Sequence, residues 1–294
     1  MGVHASPLTW ATRALWLTLP LTLGDLLAGA LDDRSAAIGA ISTISTWIVW
    51  TAGLIASLIT LPITLSLLRV LAPLPVFAGI VAAIDSAPSA PGWVGLATAA
   101  VVAVVAMSAD IGDDFVNGSS YGDERRMALR PPGVLLLGPL QLVWVLTVAP
   151  VTIALVLLGS EQWLPGVALA MVGAGTAWWG SRRLHRLACR WLVFVPAGVT
   201  LVDEVVLAEP TLFRRDSISR LGPAPADTTA LDLSAGASGL IVEIDLDVAA
   251  RVLPTPGRDG ISTPLEVTSV LVAPTRPGAL LRLAEQRRIA VQRT

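Results

Sequence analysis

Apolar residues fill the first two thirds of this chain in long blocks, and beyond residue 190 they contract to short runs that alternate with polar positions. A helix needs roughly 20 apolar residues to cross the hydrocarbon core, where no water reaches stray backbone groups. Six blocks approach that length. They run from Ala14 to Leu31, broken by Pro20 and carrying Asp25; about Ala40 to Leu61, with Trp47 and Trp50; and about Ile63 to Ile84, with Arg69, Pro73 and Pro75. The others are Trp93 to Ser108, Gly133 to Leu158 and Trp163 to Gly180. Trp93, Trp163, Trp178 and Trp179 fall near predicted ends, where an amphipathic ring prefers the interface.

From Trp191 the runs have strand length and are separated by turn residues: 191 to 196, 199 to 202, 205 to 207, 211 to 213, 230 to 233, 240 to 246 and 267 to 272. Val242, Ile244 and Leu246 alternate with Glu243 and Asp245, which predicts one apolar face and one solvent face carrying carboxylates. After Pro274 the stretch from Pro277 to Ile289 reads as a helix ending in Arg287 and Arg288, cations at the negative end of its dipole. The expected fold is therefore a membrane α-helical bundle of about six transmembrane helices, residues 1–186, followed by a small soluble mostly-β domain with a C-terminal helix, residues 187–294.

Charge supplies the orientation. Short cytoplasmic loops are enriched in positive residues. With the N-terminus inside, Arg13, Arg69, Arg125, Arg126, Arg130, Arg182, Arg183, Arg186 and Arg190 all become cytoplasmic, and only Arg34 falls outside. Arg13, the following apolar core and Ala28-Gly29-Ala30 also fit a cleavable signal peptide, which would leave five spans with unchanged orientation. Either way the C-terminal domain is expected in the cytoplasm, at a bacterial plasma membrane.

Composition narrows the chemistry. Hydrophobic residues make up 54% and charged residues 14%, too few charges for a soluble fold of this size. Every one of the 20 cationic residues is Arg, the signature of a G+C-rich genome. A formal net charge of −2 without a concentrated basic surface speaks against nucleic acid. One cysteine, Cys189, excludes an internal disulfide, and with only His4 and His185 beside it no zinc site is expected. A gly-rich phosphate loop, a nucleophile elbow and a Cys-x-x-Cys pair are absent, so neither cofactor nor catalytic residue is expected.

Candidate sites remain. The segment from Asp110 through Asp113 and Asp114 to Asp123, Glu124, Arg125 and Arg126 is rich enough in carboxylates to gather a hard cation such as Mg²⁺, yet matches no ordered calcium or magnesium spacing. It reads better as a solvated loop pairing its acids with its own arginines. Asp25 and Arg69 sit at nominal membrane depth, where ionisable groups are costly; Asp25 is a candidate proton relay or an outer boundary marker, and Arg69 a side chain reaching back to the surface. Arg182, Arg186 and Arg190 share one face if the last span continues as a helix, a stripe that attracts anionic lipid. Cys189, beside the membrane, reads as a structural thiol.

Three stretches carry a family resemblance: Phe115-Val116-Asn117-Gly118, Trp191 through Val199, and Pro274-Thr275-Arg276-Pro277-Gly278. On these the chain resembles an uncharacterised family of multi-pass membrane proteins from high-G+C Gram-positive, actinobacterial bacteria. Its C-terminal order of strands closed by one helix resembles bacterial PH-like domains, although the turn Pro196-Ala197-Gly198 lacks the basic residues that phosphoinositide-binding members use. The expected function is that of a non-enzymatic accessory or scaffold subunit, with the lipid bilayer and a membrane protein or a second copy as partners. The alternatives are a transporter or channel component, suggested by Pro and Gly breaks in the spans, and a membrane enzyme acting on lipid or envelope precursors, centred on the acidic segment.

Overall fold

The computed structural model describes residues 6–256 and 262–292, so His4 lies outside the described residues. The chain forms two compact units, one from Gly2–Gly118 with Gln141–His185, the other from Ser119–Leu140 with Arg186–Thr294.

In the helical unit, α1 covers Pro7–Thr22, α2 Gly24–Gly29, α3 Ala36–Leu58, α4 Pro62–Leu71, α5 Leu74–Asp85, α6 Ala90–Ala106 and α7 Ala109–Asn117; α8, Gly133–Leu136, belongs to the other unit, and α9, Pro139–Gly159, with α10, Trp163–Ala188, completes the helical set. Four starts carry a serine cap: Ser6, Ser35, Ser89 and Ser108 each accept from the backbone N–H three residues on, which satisfies a donor the helix leaves free. Ala36–Leu58, Pro62–Asp85 and Pro139–Gly159 are long and apolar enough to cross a membrane. A fourth span arises if α6 and α7, bent by 60°, count together. The first and sixth predicted spans do not reach that mark: α1 has 16 residues, and α10, though 26 residues long, is diluted by Gly, Trp and Arg.

Proline breaks leave backbone carbonyls without a helical partner, and indoles fill them. Pro20 cannot donate to Trp16 O, and Trp50 Nε1 does so at 3.0 Å; in return Trp16 Nε1 donates to Trp50 O at 2.8 Å, clamping α1 to α3. Trp16 is fully buried because Gly53 presents no side chain there: a Cβ on Gly53 would lie 2.0 Å from the ring. Near Pro73 and Pro75, where α4 gives way to α5, Trp144 Nε1 donates to Val70 O at 3.0 Å and its ring stacks on Phe77.

The second unit holds two sheets. β1 (Arg125–Ala128), β2 (Trp191–Val195), β3 (Gly198–Val202) and β4 (Thr211–Arg214) form an antiparallel meander. β5 (Ile218–Pro223), β6 (Leu231–Asp232), β7 (Val242–Val252) and β8 (Leu265–Val272) form the other sheet in the order β5-β7-β8-β6, with β6 parallel to β8. Phe194 and Phe213 from the first sheet, Ile244 and Val270 from the second, and Leu280 and Ala284 from α11 (Pro277–Gln286) share one buried core.

Three features depart from the sequence reading. The segment ahead of α9 is no solvated loop. Arg125–Ala128 pairs with β2 from Arg125↔Phe194 to Ala128↔Trp191, and the chain beyond it is bound to other parts of the unit: Leu129 N donates to Arg190 O at 2.9 Å, Arg130 N to Ala273 O at 2.8 Å, and Gly133 N to Gly236 O at 3.2 Å. Met127 and Leu129 enter the core because they alternate with Arg126, Ala128 and Arg130. Glu243 is buried rather than solvent-facing, since Arg220 and Thr228 cover that side of β7. Val205–Leu207 is a turn, in which Asp203 Oδ1 takes the N–H of Val205 at 3.0 Å.

α11 ends in a Schellman arrangement. Arg288 N donates to Glu285 O and Ile289 N to Ala284 O, and Arg288 takes a left-handed φ of 57°. Glycine usually occupies this position, and a side chain there costs roughly 1 kcal/mol.

Candidate functional site

Four ionisable residues of the helical unit, Arg13, Arg69, Asp113 and Asp114, lie where α1 begins, where α3 ends, and where the last turn of α4 packs on the bend from α6 into α7. Arg13 lies one and a half turns into α1 and is buried. Its Nε donates to Ser57 O at 2.8 Å and its Nη2 to Leu58 O at 3.3 Å, the last carbonyls of α3, while its guanidinium stacks 4.7 Å from the Trp10 ring. Arg69 does the same for α6, donating from Nε to Ala106 O at 3.1 Å and from Nη2 to Ser108 O at 3.3 Å. A cation at a helix C-terminus meets the negative end of the macrodipole as well as orphan acceptors.

The complementary arrangement holds at the start of α1. Asp114 Oδ2 accepts from Ser6 N at 2.8 Å and from Thr9 Oγ1, which places a carboxylate at a positive helix end. Asp114 reaches this place because residues 109–117 form a helix whose Ile111, Phe115 and Val116 are buried, an amphipathic arrangement that the expected loop did not include. Asp113 is buried on the same helix, where Asn117 Nδ2 donates to its backbone carbonyl at 2.8 Å. Asp110, in the first turn of α7, is exposed. Ser66 Oγ and His185 Nδ1 lie 2.9 Å apart nearby.

The other candidates disperse. Asp25 stands exposed in the first turn of the six-residue α2. Arg182 stacks 4.3 Å above Trp178 and Arg183 5.6 Å from Trp179 along α10. Arg186 approaches Glu204 at 3.9 Å with both side chains mostly exposed. The stripe does not extend to Arg190, because α10 ends at Ala188.

Arg190 has a different position altogether. Its side chain is 1% exposed and that of Asp203 is 0% exposed. Nε reaches both carboxylate oxygens at 2.8 Å, Nη2 lies 2.7 Å from Oδ2, and Nη1 donates to Arg130 O at 2.7 Å. One guanidinium thus ties together the start of β2, the turn after β3 and the segment that follows β1. Nothing local in the sequence marks Asp203, because an acid two residues before an apolar run carries no motif.

Around this hub, Glu124 pairs with Arg126 at 2.7 Å, and that hydrogen bond holds the Glu124 carboxyl below its ordinary range. Burial pushes the half-buried Cys189 thiol up, with the Glu204 charge acting in the same direction and Arg126 opposing it. Such a thiol is a poor nucleophile at neutral pH. Among the described residues no three His, Cys, Asp or Glu side chains group to hold a metal. Comparison with protein-family models, with curated proteins and with solved structures finds no match for this chain.

Proposed function

We propose that this chain is a multi-pass protein of a bacterial plasma membrane whose helical unit crosses the bilayer six times and carries the β unit on the cytoplasmic side. It serves as a non-enzymatic accessory or scaffold subunit, with a membrane protein or a second copy of itself as partner. The single observation that carries this reading is the use of charge in the helical unit. Arg13, Arg69 and Asp114 are all engaged with helix termini of their own unit. Ionisable groups on a transport path face a cavity or each other; these close helix ends.

The β unit adds support. The chain passes between the two units at residues 118/119, 140/141 and 185/186, so residues 119–140, inserted between helices, join the segment that follows α10 in one β unit. The likeness of its element order to PH-like domains, a common interaction module, and the likeness to the actinobacterial membrane family belong to the same proposal.

The test is affinity purification of the tagged protein from its native membrane in mild detergent, with mass spectrometry and mass determination of the intact particle. A recurring partner or a defined oligomer is expected. A solitary monomer would overturn the scaffold reading. A transport role draws on one observation, the 60° bend between α6 and α7 at the carbonyls held by Arg69; it requires solute flux in proteoliposomes that disappears in Arg69→Leu.

A further inference from the structure

Between β1 and the apolar helix α9 the chain carries a short apolar segment that neither element needs. α9 has 21 residues and is about 31 Å long at 1.5 Å per residue, which already crosses a hydrocarbon core of about 30 Å. Ahead of it, α8 and the residue that follows expose Val134 by 71% and Leu137 by 87%, with Leu136 exposed between them. No ionisable residue occurs between Arg130 and Glu161. The exposed turn is thus continuous in composition with the block that forms α9, yet it is not part of that helix.

Gly138 makes the separation. Its φ of 149° is one that side-chain-bearing residues rarely adopt, so the chain turns there and a new helix starts at Pro139, a residue suited to a first helical position. α8 itself is a single tight turn, in which Leu135 N donates to Pro132 O at 3.0 Å and Leu137 N to Val134 O at 3.3 Å. The last carbonyls of so short a helix need water, which reaches the headgroup boundary and is missing from the hydrocarbon core.

The turn is fastened to the β unit. Gly133 N donates to Gly236 O at 3.2 Å, and Arg130 Nη1 donates to Ser238 O at 2.7 Å, so both attachments are made to one loop ahead of β7. That loop exposes a further apolar side chain, Leu240. Contiguous exposed apolar residues mark a surface that something covers, and the sequence on the C-terminal side says what covers this one. Only Gly138 separates Leu137 from α9, which is long and apolar enough to cross a membrane.

We propose that α8 is an interfacial foot: it lies at the boundary of headgroups and acyl chains with Val134, Leu136 and Leu137 immersed, and it seats the β unit at the membrane surface. The partner is the bilayer itself, and the inference rests on the reading of α9 as a span. Apolar side chains of a segment lying in the interface plane reach only a short way into the acyl region, a depth that suits one turn of helix bonded at its start to a folded domain.

Spin-label accessibility in the full chain, with Cys189→Ala and reconstituted in phosphatidylcholine nanodiscs, tests this. Labels are placed one at a time at Leu137→Cys, at Leu240→Cys, at Ile153→Cys on an exposed face of α9 and at Glu209→Cys on an exposed turn of the β unit. Oxygen collects among acyl chains and a neutral nickel chelate stays in water. The labels at Leu137→Cys and Ile153→Cys are expected to favour oxygen and that at Glu209→Cys the chelate, with Leu240→Cys between them. Val134→Asp with Leu137→Asp is expected to shift the Leu240→Cys label to the chelate side while thermal unfolding of the β unit stays unchanged, since both replaced side chains are exposed; an unmoved label would show that α8 does not seat the unit. Chelate preference at Leu137→Cys with oxygen preference at Ile153→Cys would overturn the foot and leave the span standing, whereas chelate preference at both would overturn the span as well. A Leu137→Cys label shielded from both reagents would put protein there and overturn the foot.

Discussion

The two units bury the same cation in different ways. In the helical unit Arg13 and Arg69 are held by carbonyls at the ends of α3 and α6, and among the described residues neither guanidinium forms an ion pair. In the β unit Arg190 has the carboxylate of Asp203 at 2.7 Å and one further carbonyl. The difference follows from the backbone. Helix ends and proline breaks supply orphan acceptors in quantity, so a buried donor there, guanidinium or indole, finds neutral partners already pointing at it. Sheet ladders consume their own carbonyls, so a buried charge there needs a counter-charge.

The contrast sets the order of expected losses. Arg190→Met strands Asp203 in the core and is expected to cost about 3 to 5 kcal/mol, read as lost cooperative unfolding of the β unit. Arg190→Met combined with Asp203→Leu is expected to cost less than the single change, since no unpaired charge remains; a larger loss in the double variant would show that the pair is valued for more than neutrality. Arg69→Leu removes the partner of two carbonyls but also relieves a charge among apolar helices, so a smaller loss of about 2 kcal/mol is expected by denaturant titration in detergent. Trp50→Phe leaves Trp16 O without its donor at the Pro20 break, and about 1 kcal/mol is expected.

The smallest effect is a pH dependence. Because Arg126 lowers the Glu124 pKa in the folded protein, their pair stabilises the β unit above the ordinary glutamate value, and that stability is lost as pH falls through the lower folded value. Glu124→Gln is expected to flatten the acid limb of the stability profile below about pH 4.5 and to leave neutral pH unchanged within a few tenths of a kcal/mol.

How far the sequence revealed this follows from which signals are local. The apolar blocks of α3, α4 with α5, and α9 were legible because a membrane span is encoded within itself. Most strands of the tail were legible for the same reason, as was the alternation at Val242, Ile244 and Leu246. The acidic segment around Asp113 and Asp114 misled, because Ile111, Phe115 and Val116 mark a helix only at a spacing masked by neighbouring aspartates. The β1 strand was hidden because its Arg-rich sequence satisfied a loop reading, although Met127 and Leu129 already alternated. Arg190 with Asp203, and Arg130 with Ser238, join residues apart in the chain, and no local pattern announces them.

Residues 125–133, lying between two apolar blocks of the sequence, are a structural part of the β unit. Amide hydrogen exchange on the intact protein in nanodiscs, read by mass spectrometry, tests it most directly. The amides of Met127, Leu129 and Arg130 are expected to exchange as slowly as those of β2 and β8. Exchange at the rate of an exposed loop, with β2 still protected, would show that this segment is no part of the sheet.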